Sequence, residues 1–155
     1  LTLRAVIEAP PSQYFGPASS HTFTSLAGSS FVGMDLKKSD FTGSDLSQVD
    51  FSNADLEGAI FTGAILNRTI LVNSKLNTVK FNGAEIRNAN FAGAFLLDAD
   101  FQNAKIKEVN FDGADLSHVN FTYTSIDRTP FATAVLSGSD FTEAVIDGLK
   151  VRAQS

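Results

Sequence analysis

The chain is 155 residues long, enough for one domain, and carries 12 Lys and Arg against 17 Asp and Glu, a net charge of −5. That balance argues against a sequence-independent grip on nucleic acid or on an anionic membrane. The absence of cysteine excludes disulfides, thiol nucleophiles and thiolate metal sites, and there is no run of about 20 apolar residues to span a membrane.

Residues 1–25 stand apart. Leu1 to Ala9 places apolar residues at odd positions and predicts a strand, with a short helix as the alternative. Pro10-Pro11, Gly16-Pro17 and the Ser/Thr-rich stretch to Ser25 read as loop. The segment is assigned as an N-terminal cap over the first end of the repeat region. The chain opens on Leu1 rather than Met, which leaves a trimmed or processed terminus open.

From Phe31 to Ile146 an apolar anchor recurs at every fifth residue without insertion or deletion. Five is neither the helical period nor the strand period. A fixed self-similar period is the mark of a solenoid. Two residues before every anchor but Leu36, which has Met34 there, sits a small or β-branched residue, as at Ala54, Ala64, Val79 and Val109. One residue before it is mostly polar, with Asp and Asn the commonest. The frame extends back to Leu26, so the repeat is assigned to residues 26–151 and the remaining 152–155 to a tail.

Sorting the anchors by twenties shows a finer order. Leu36, Leu56, Leu76, Leu96, Leu116 and Leu136 form one set; Phe41, Phe61, Phe81, Phe101, Phe121 and Phe141 form another. Leu46 and Leu66 give way to Ile86, Ile106, Ile126 and Ile146. The fourth set is Phe31, Phe51, Leu71, Phe91, Phe111 and Phe131. Four units per coil, stacked at about 4.8 Å, would place like on like.

The unit, as in Ala54-Asp55-Leu56-Glu57-Gly58 and Ala114-Asp115-Leu116-Ser117-His118, resembles that of the pentapeptide-repeat proteins over about four-fifths of the chain. The resemblance implies an all-β fold, a right-handed quadrilateral β-helix of roughly six coils. It also implies a thylakoid lumen, of chloroplasts or cyanobacteria, or a bacterial cytoplasm as the compartment.

Gly or Asn stands two residues after most Phe anchors, so type II turns are expected on those two faces and another turn on the Leu and Ile faces. That regularity should fade after Phe121. Pro130 should cost a ladder bond or bend the chain. After Ile146 the tail is short for a cap, which leaves the C-terminal coil open, paired end to end with a second copy, or truncated.

The residues before the anchors supply the candidate surface. Asp35, Asp40, Asp45, Asp50 and Asp55 form an acidic belt; Ile60, Ile65 and Ile70 form an apolar one, with Val72 just after it and Phe95 with Leu97 as a second apolar pair. Clustered outward apolar residues suggest a protein-contact patch. A twenty-residue offset puts Asp55 beside Lys75, Lys80 beside Asp100 and Glu85 beside Lys105. His21 and His118 are too far apart to share a site. No metalloprotease, phosphate-loop, nucleophile-elbow or dinucleotide fingerprint is present. The sequons at Asn67 and Asn120 matter only in a secretory pathway.

The function expected is therefore a non-enzymatic scaffold or protein-interaction module, without cofactor or metal, whose partner is an unidentified protein or larger assembly. The alternative is a DNA mimic acting on DNA gyrase or another topoisomerase, which the resemblance brings with it. Against that alternative stand the absence of the dimerising C-terminal helix typical of that branch and the interruption of the acidic stripes by Ile60, Lys75 and Lys80.

Overall fold

The computed structural model describes residues 15–152. The strand expected over Leu1–Ala9 and most of the cap lie outside the described residues.

Parallel bridges join each residue before an anchor to its counterpart twenty residues on. Ser20 pairs with Asp40, Ser25 with Asp45, Ser30 with Asp50 and Asp35 with Asp55, and these ladders continue along the rod, the second as far as the pairing of Asn120 with Asp140. Four ladders in twenty residues make a coil of four walls that climbs about one strand spacing, 4.8 Å, per turn. The stitching runs in both directions. The Phe41 amide donates to the carbonyl of Ile60 at 2.7 Å, while the Asp40 amide donates back to Ser19 at 2.9 Å. The walls are numbered by their anchors: the Leu36 set on the first, the Phe41 set on the second, the Leu46 and Ile86 set on the third, the Phe31 and Phe51 set on the fourth.

Inside the coil every anchor from Leu26 to Phe121 is buried. Chain order alternates the two anchor types, so phenylalanine columns face each other across the interior. On the second wall Phe81 stacks on Phe101 with centroids 4.7 Å apart and rings 20° from parallel. Across the tube Phe81 meets Phe91 edge to face at 5.8 Å and 80°. Both geometries suit the ring quadrupole. Leu71 alone interrupts the fourth-wall column. The small position beside each anchor also points inward, and where it is polar it is satisfied: Thr69 donates to the Leu46 carbonyl at 2.8 Å and Ser74 to that of Leu71 at 2.7 Å. No buried side-chain polar atom among the described residues lacks a partner.

The third wall differs from the others. Its chain is extended as β1 (Ile65–Asn67), β2 (Glu85–Arg87), β3 (Lys105–Lys107), β4 (Ser125–Asp127) and β5 (Val145–Ile146), all parallel and in register. A short β6 (Leu149–Lys150) then doubles back antiparallel on β5.

The turn expectation needs correction. Positive φ occurs after Leu and Ile anchors as well as Phe ones, at Lys38 (58°), Arg68 (57°), Thr78 (60°), Asp98 (59°) and His118 (56°). First-wall turns also close with the same bond as the Phe turns, the Ala59 amide donating to Leu56 at 2.9 Å. Only the third wall, from β1 to β4, replaces the turn with strand; after β5 the turn returns at Asp147 and Gly148. The reason is the ladder. The amide at each of these positions donates to the next coil, Lys38 to Glu57 at 2.9 Å and Arg68 to Arg87 at 2.8 Å. Abandoning the left-handed conformation would recover roughly 1–2 kcal/mol per residue but would lose that bond and part the coils. Toward the C-terminus Tyr123 and Glu143 keep positive φ, and only Thr133 departs.

Three features mark the boundaries of the rod. The ladder reaches back to Ala18, whose amide donates to Lys37 at 2.7 Å, so residues 16–25, read as loop, lie in the first coil. Pro130 behaves as expected: no bridge joins it to Asn110, although Asn110 is bridged to Asn90. At the other end the tail is not idle. Val151 donates to Ala144 and accepts from Glu143, both at 2.7 Å, and covers the third-wall edge. Phe131, Leu136, Phe141 and Ile146 remain only partly buried at that end.

Candidate interaction surface

The interior is filled by side chains, so any chemistry available to a partner lies on the walls. The outward residue before each anchor is where the sequence concentrates Asp and Asn, and the geometry explains why. The Asp45 Oδ1 accepts the Ser47 amide at 3.0 Å and the Ser47 hydroxyl at 2.6 Å. Asp40 does the same with Thr42, and Asp50 accepts the Ser52 amide at 2.9 Å. Asp35 and Asp55 accept from Lys37 and Glu57 more loosely, at 3.2 and 3.3 Å. Asn90, Asn110 and Asn120 make the identical bond without a charge. These are Asx turns that hold the corners of the coil. At Asp140 the bonds from Thr142 also depress the carboxyl pKa.

The five aspartates fall on different walls, Asp35 and Asp55 on the first and one each on the others, so the belt encircles the rod rather than forming a stripe. Asp55 is also neutralised, by Lys37 at 3.3 Å and Lys75 at 3.8 Å. The hydrogen bond with Asp55, reinforced by its charge, raises the pKa of Lys37. Of the three cross-coil pairs read from the sequence, only Asp55 with Lys75 closes as an ion pair. Lys80 with Asp100 and Glu85 with Lys105 are in register but form no ion pair among the described residues.

The apolar candidates separate in the same way. Ile60, Ile65 and Ile70 belong to three successive ladders, hence to the second, third and fourth walls, and no single flat partner touches all three. Ile65 and Ile70 are 41% and 37% exposed; Ile60 and Val72 are half-buried. Phe95 and Leu97 share a wall. They flank Leu96 on the first wall, 50% and 40% exposed, with Lys75 on one side of Phe95 and Asp115 on the other.

The histidines are well separated. His118 is exposed and lies over Gly138. His21 takes the place of an anchor in the first coil, its ring 4.1 Å from Phe15 and 5.6 Å from Phe41, with Nε2 2.8 Å from the Ser19 hydroxyl. Burial lowers its pKa. Among the described residues no group of three or more His, Asp or Glu stands close enough to hold a metal, and no helix is long and apolar enough to cross a membrane. Reading only the residue before each anchor leaves Arg68, Arg87 and Lys107 unremarked. They come after the third-wall anchors, and the visible signal is three basic residues one or two places after Leu66, Ile86 and Ile106.

Comparison with known proteins agrees with this architecture. The family model for the pentapeptide repeat region matches residues 19–91 and 74–151. No curated protein matches the chain. Among solved structures, a trypsin-treated form of QnrB1, a plasmid-mediated fluoroquinolone resistance protein, shares 15% identity over 84% of this chain and 86% of its own, with a TM-score of 0.55. HetL from the cyanobacterium Nostoc sp. strain PCC 7120, involved in heterocyst differentiation regulation, is 16% identical over 97% of this chain and 100% of its own, TM-score 0.41. A pentapeptide repeat protein of the Arabidopsis thaliana thylakoid lumen is 23% identical over 72% and 69%, TM-score 0.47. At 15% identity the likeness to QnrB1 concerns the fold alone.

Proposed function

This chain belongs to the pentapeptide-repeat family, and from that premise we propose that it is a non-enzymatic scaffold, a rigid rod whose walls dock other proteins. The observation that carries the proposal is the pair Phe95 and Leu97. Both are large and apolar, both stand half in solvent, and the coil beneath them is fully packed. An apolar pair on a wall that cannot rearrange to bury it is suited to a partner surface. The compartment we propose is a thylakoid lumen or a bacterial cytoplasm.

The test is capture from the native source by the wild-type rod and by a Phe95→Lys, Leu97→Lys variant. A partner retained by the first and lost by the second, with equal thermal stability, supports the docking role. Equal capture by both would remove this face from consideration.

The second reading, a DNA mimic acting on gyrase, is favoured only by the acidic charge and by the fold shared with QnrB1. A mimic needs regular rows of carboxylates along the rod. Here Asp35 to Asp55 run around it, and their Oδ1 atoms are used in turns. In a gyrase supercoiling assay the added protein is expected to leave the rate unchanged; inhibition or protection would favour the mimic.

A further inference from the structure

The third wall carries charge that the fold does not use. Outward along β1, β2 and β3 and the corner after them stand Arg68, Arg87, Lys105 and Lys107. Arg68 and Arg87 are neighbours on adjacent coils, the Arg68 amide donating to the Arg87 carbonyl. Arg87 is the direct register partner of Lys107. None of the four has an ion-pair partner among the described residues.

Carboxylates are near, but they are committed elsewhere. Glu108 pairs with Arg128 at 3.1 Å. Asp127, which stands in register with Lys107, turns to the same Arg128 at 3.4 Å. Glu85, in register with Lys105, is the one acidic side chain left within the group, and it forms no ion pair. Like charges directly opposite on neighbouring strands are destabilising. A protein with net charge −5 has ample carboxylate to relieve Arg87 over Lys107, as it does for Lys37 and Lys75 at Asp55. On this wall it does not.

We propose that the third wall, through Arg68, Arg87, Lys105 and Lys107, docks an acidic segment of a partner protein. The strands of this wall are parallel and in register, so the four cations form a fixed grid about two coil spacings, roughly 10 Å, tall. A short run of Asp or Glu matches that height. Ile65, 41% exposed at the edge of the grid, adds an apolar seat beside it. A second copy of this chain is a poor occupant. Its aspartate belt spreads over all four walls and offers no wall with a matching column of free acids. The net negative charge of the rod weighs against nucleic acid, because long-range repulsion opposes a polyanion of that density. The proposal rests on the reading of the chain as a docking rod and names a second face, opposite the Phe95 wall.

The experiment is a fluorescence anisotropy titration with a fluorescein-labelled short polyglutamate peptide at low ionic strength. Three proteins are compared: the wild type, Arg87→Glu with Lys107→Glu, and Lys38→Glu with Lys80→Glu, which changes net charge equally on other walls. A gentler pair, Arg87→Gln with Lys107→Gln, serves where the reversal lowers the melting temperature. Binding by the wild type and the Lys38/Lys80 variant, about tenfold weaker in either strip variant and fading with salt, supports the proposal. Equal weakening in both reversals, no binding by the wild type, or tighter binding to a single-stranded oligonucleotide or to phosphatidylserine vesicles overturns it. Any of these leaves the Phe95 capture result standing, so the two readings fail separately.

Discussion

The His21 ring stands 5.6 Å from that of Phe41 and 29° from parallel, in the place where the second-wall column would otherwise carry another phenylalanine. Phe15 covers it at 4.1 Å. Burial lowers the His21 pKa, so the unfolded chain binds that proton more tightly than the folded one. Above the ordinary histidine value of about 6.5 both states are neutral and this group makes stability no function of pH. As pH falls through that value stability is lost, and the loss levels off below the lowered folded-state pKa. Urea melts between pH 8 and 5 are expected to show this decline. A His21→Phe variant should abolish it, and an unchanged profile in that variant would count against the assignment.

Phe101 stacks on Phe81 at 4.7 Å and Phe121 at 5.1 Å and meets Phe91 and Phe111 edge on. Truncation to alanine removes all four contacts from a filled interior. The expected cost is about 3–5 kcal/mol. Because each coil touches only its neighbours, hydrogen exchange should rise first in the coils around residue 101 and last near the ends of the rod. A uniform rise along the chain would show instead that the rod unfolds as one unit.

The aspartates before the anchors act as turn acceptors, so charge and geometry can be separated. Asp45→Asn keeps an oxygen for the Ser47 amide and hydroxyl; Asp45→Ala removes it. We expect the alanine variant to lose about 1 kcal/mol and the asparagine variant much less. Chemical denaturation of the two proteins distinguishes them. Equal losses would mean that the charge itself matters at that corner.

The short hairpin at the end of the third wall shields the last coil. β6 pairs with β5, and Lys150 bonds to Glu143 across the corner. Chain termination after Gly148 exposes the β5 edge and leaves Ile146 and Phe141 less covered. Unpaired edges over an apolar end invite pairing with another chain. Light scattering after size exclusion should show an apparent mass that rises with concentration for the shortened chain and less so for the full one.

How much was legible in residue order depends on what each signal encodes. The recurrence of one large residue in five, and its sorting by twenties, reports the interior directly, because an inward position tolerates only a narrow range of volumes. Walls, coil height and the facing phenylalanine columns are therefore readable from residue order. The place of His21 in that order was readable too, twenty residues before Phe41, but an imidazole does not announce itself as an anchor.

The outside is another matter. A linear reading groups Ile60, Ile65 and Ile70, while the coil sends them to three walls; it pairs Lys80 with Asp100, which stand in register but form no ion pair. Left-handed turns at Lys38 and Arg68 run against residue preference because an inter-coil bond holds them. The order of residues alone thus determined what fills the tube. Only the tertiary structure decided which surface groups share a wall and which carboxylates Arg128 takes from Lys107, because surface side chains answer to the nearest charge in space and not to the repeat.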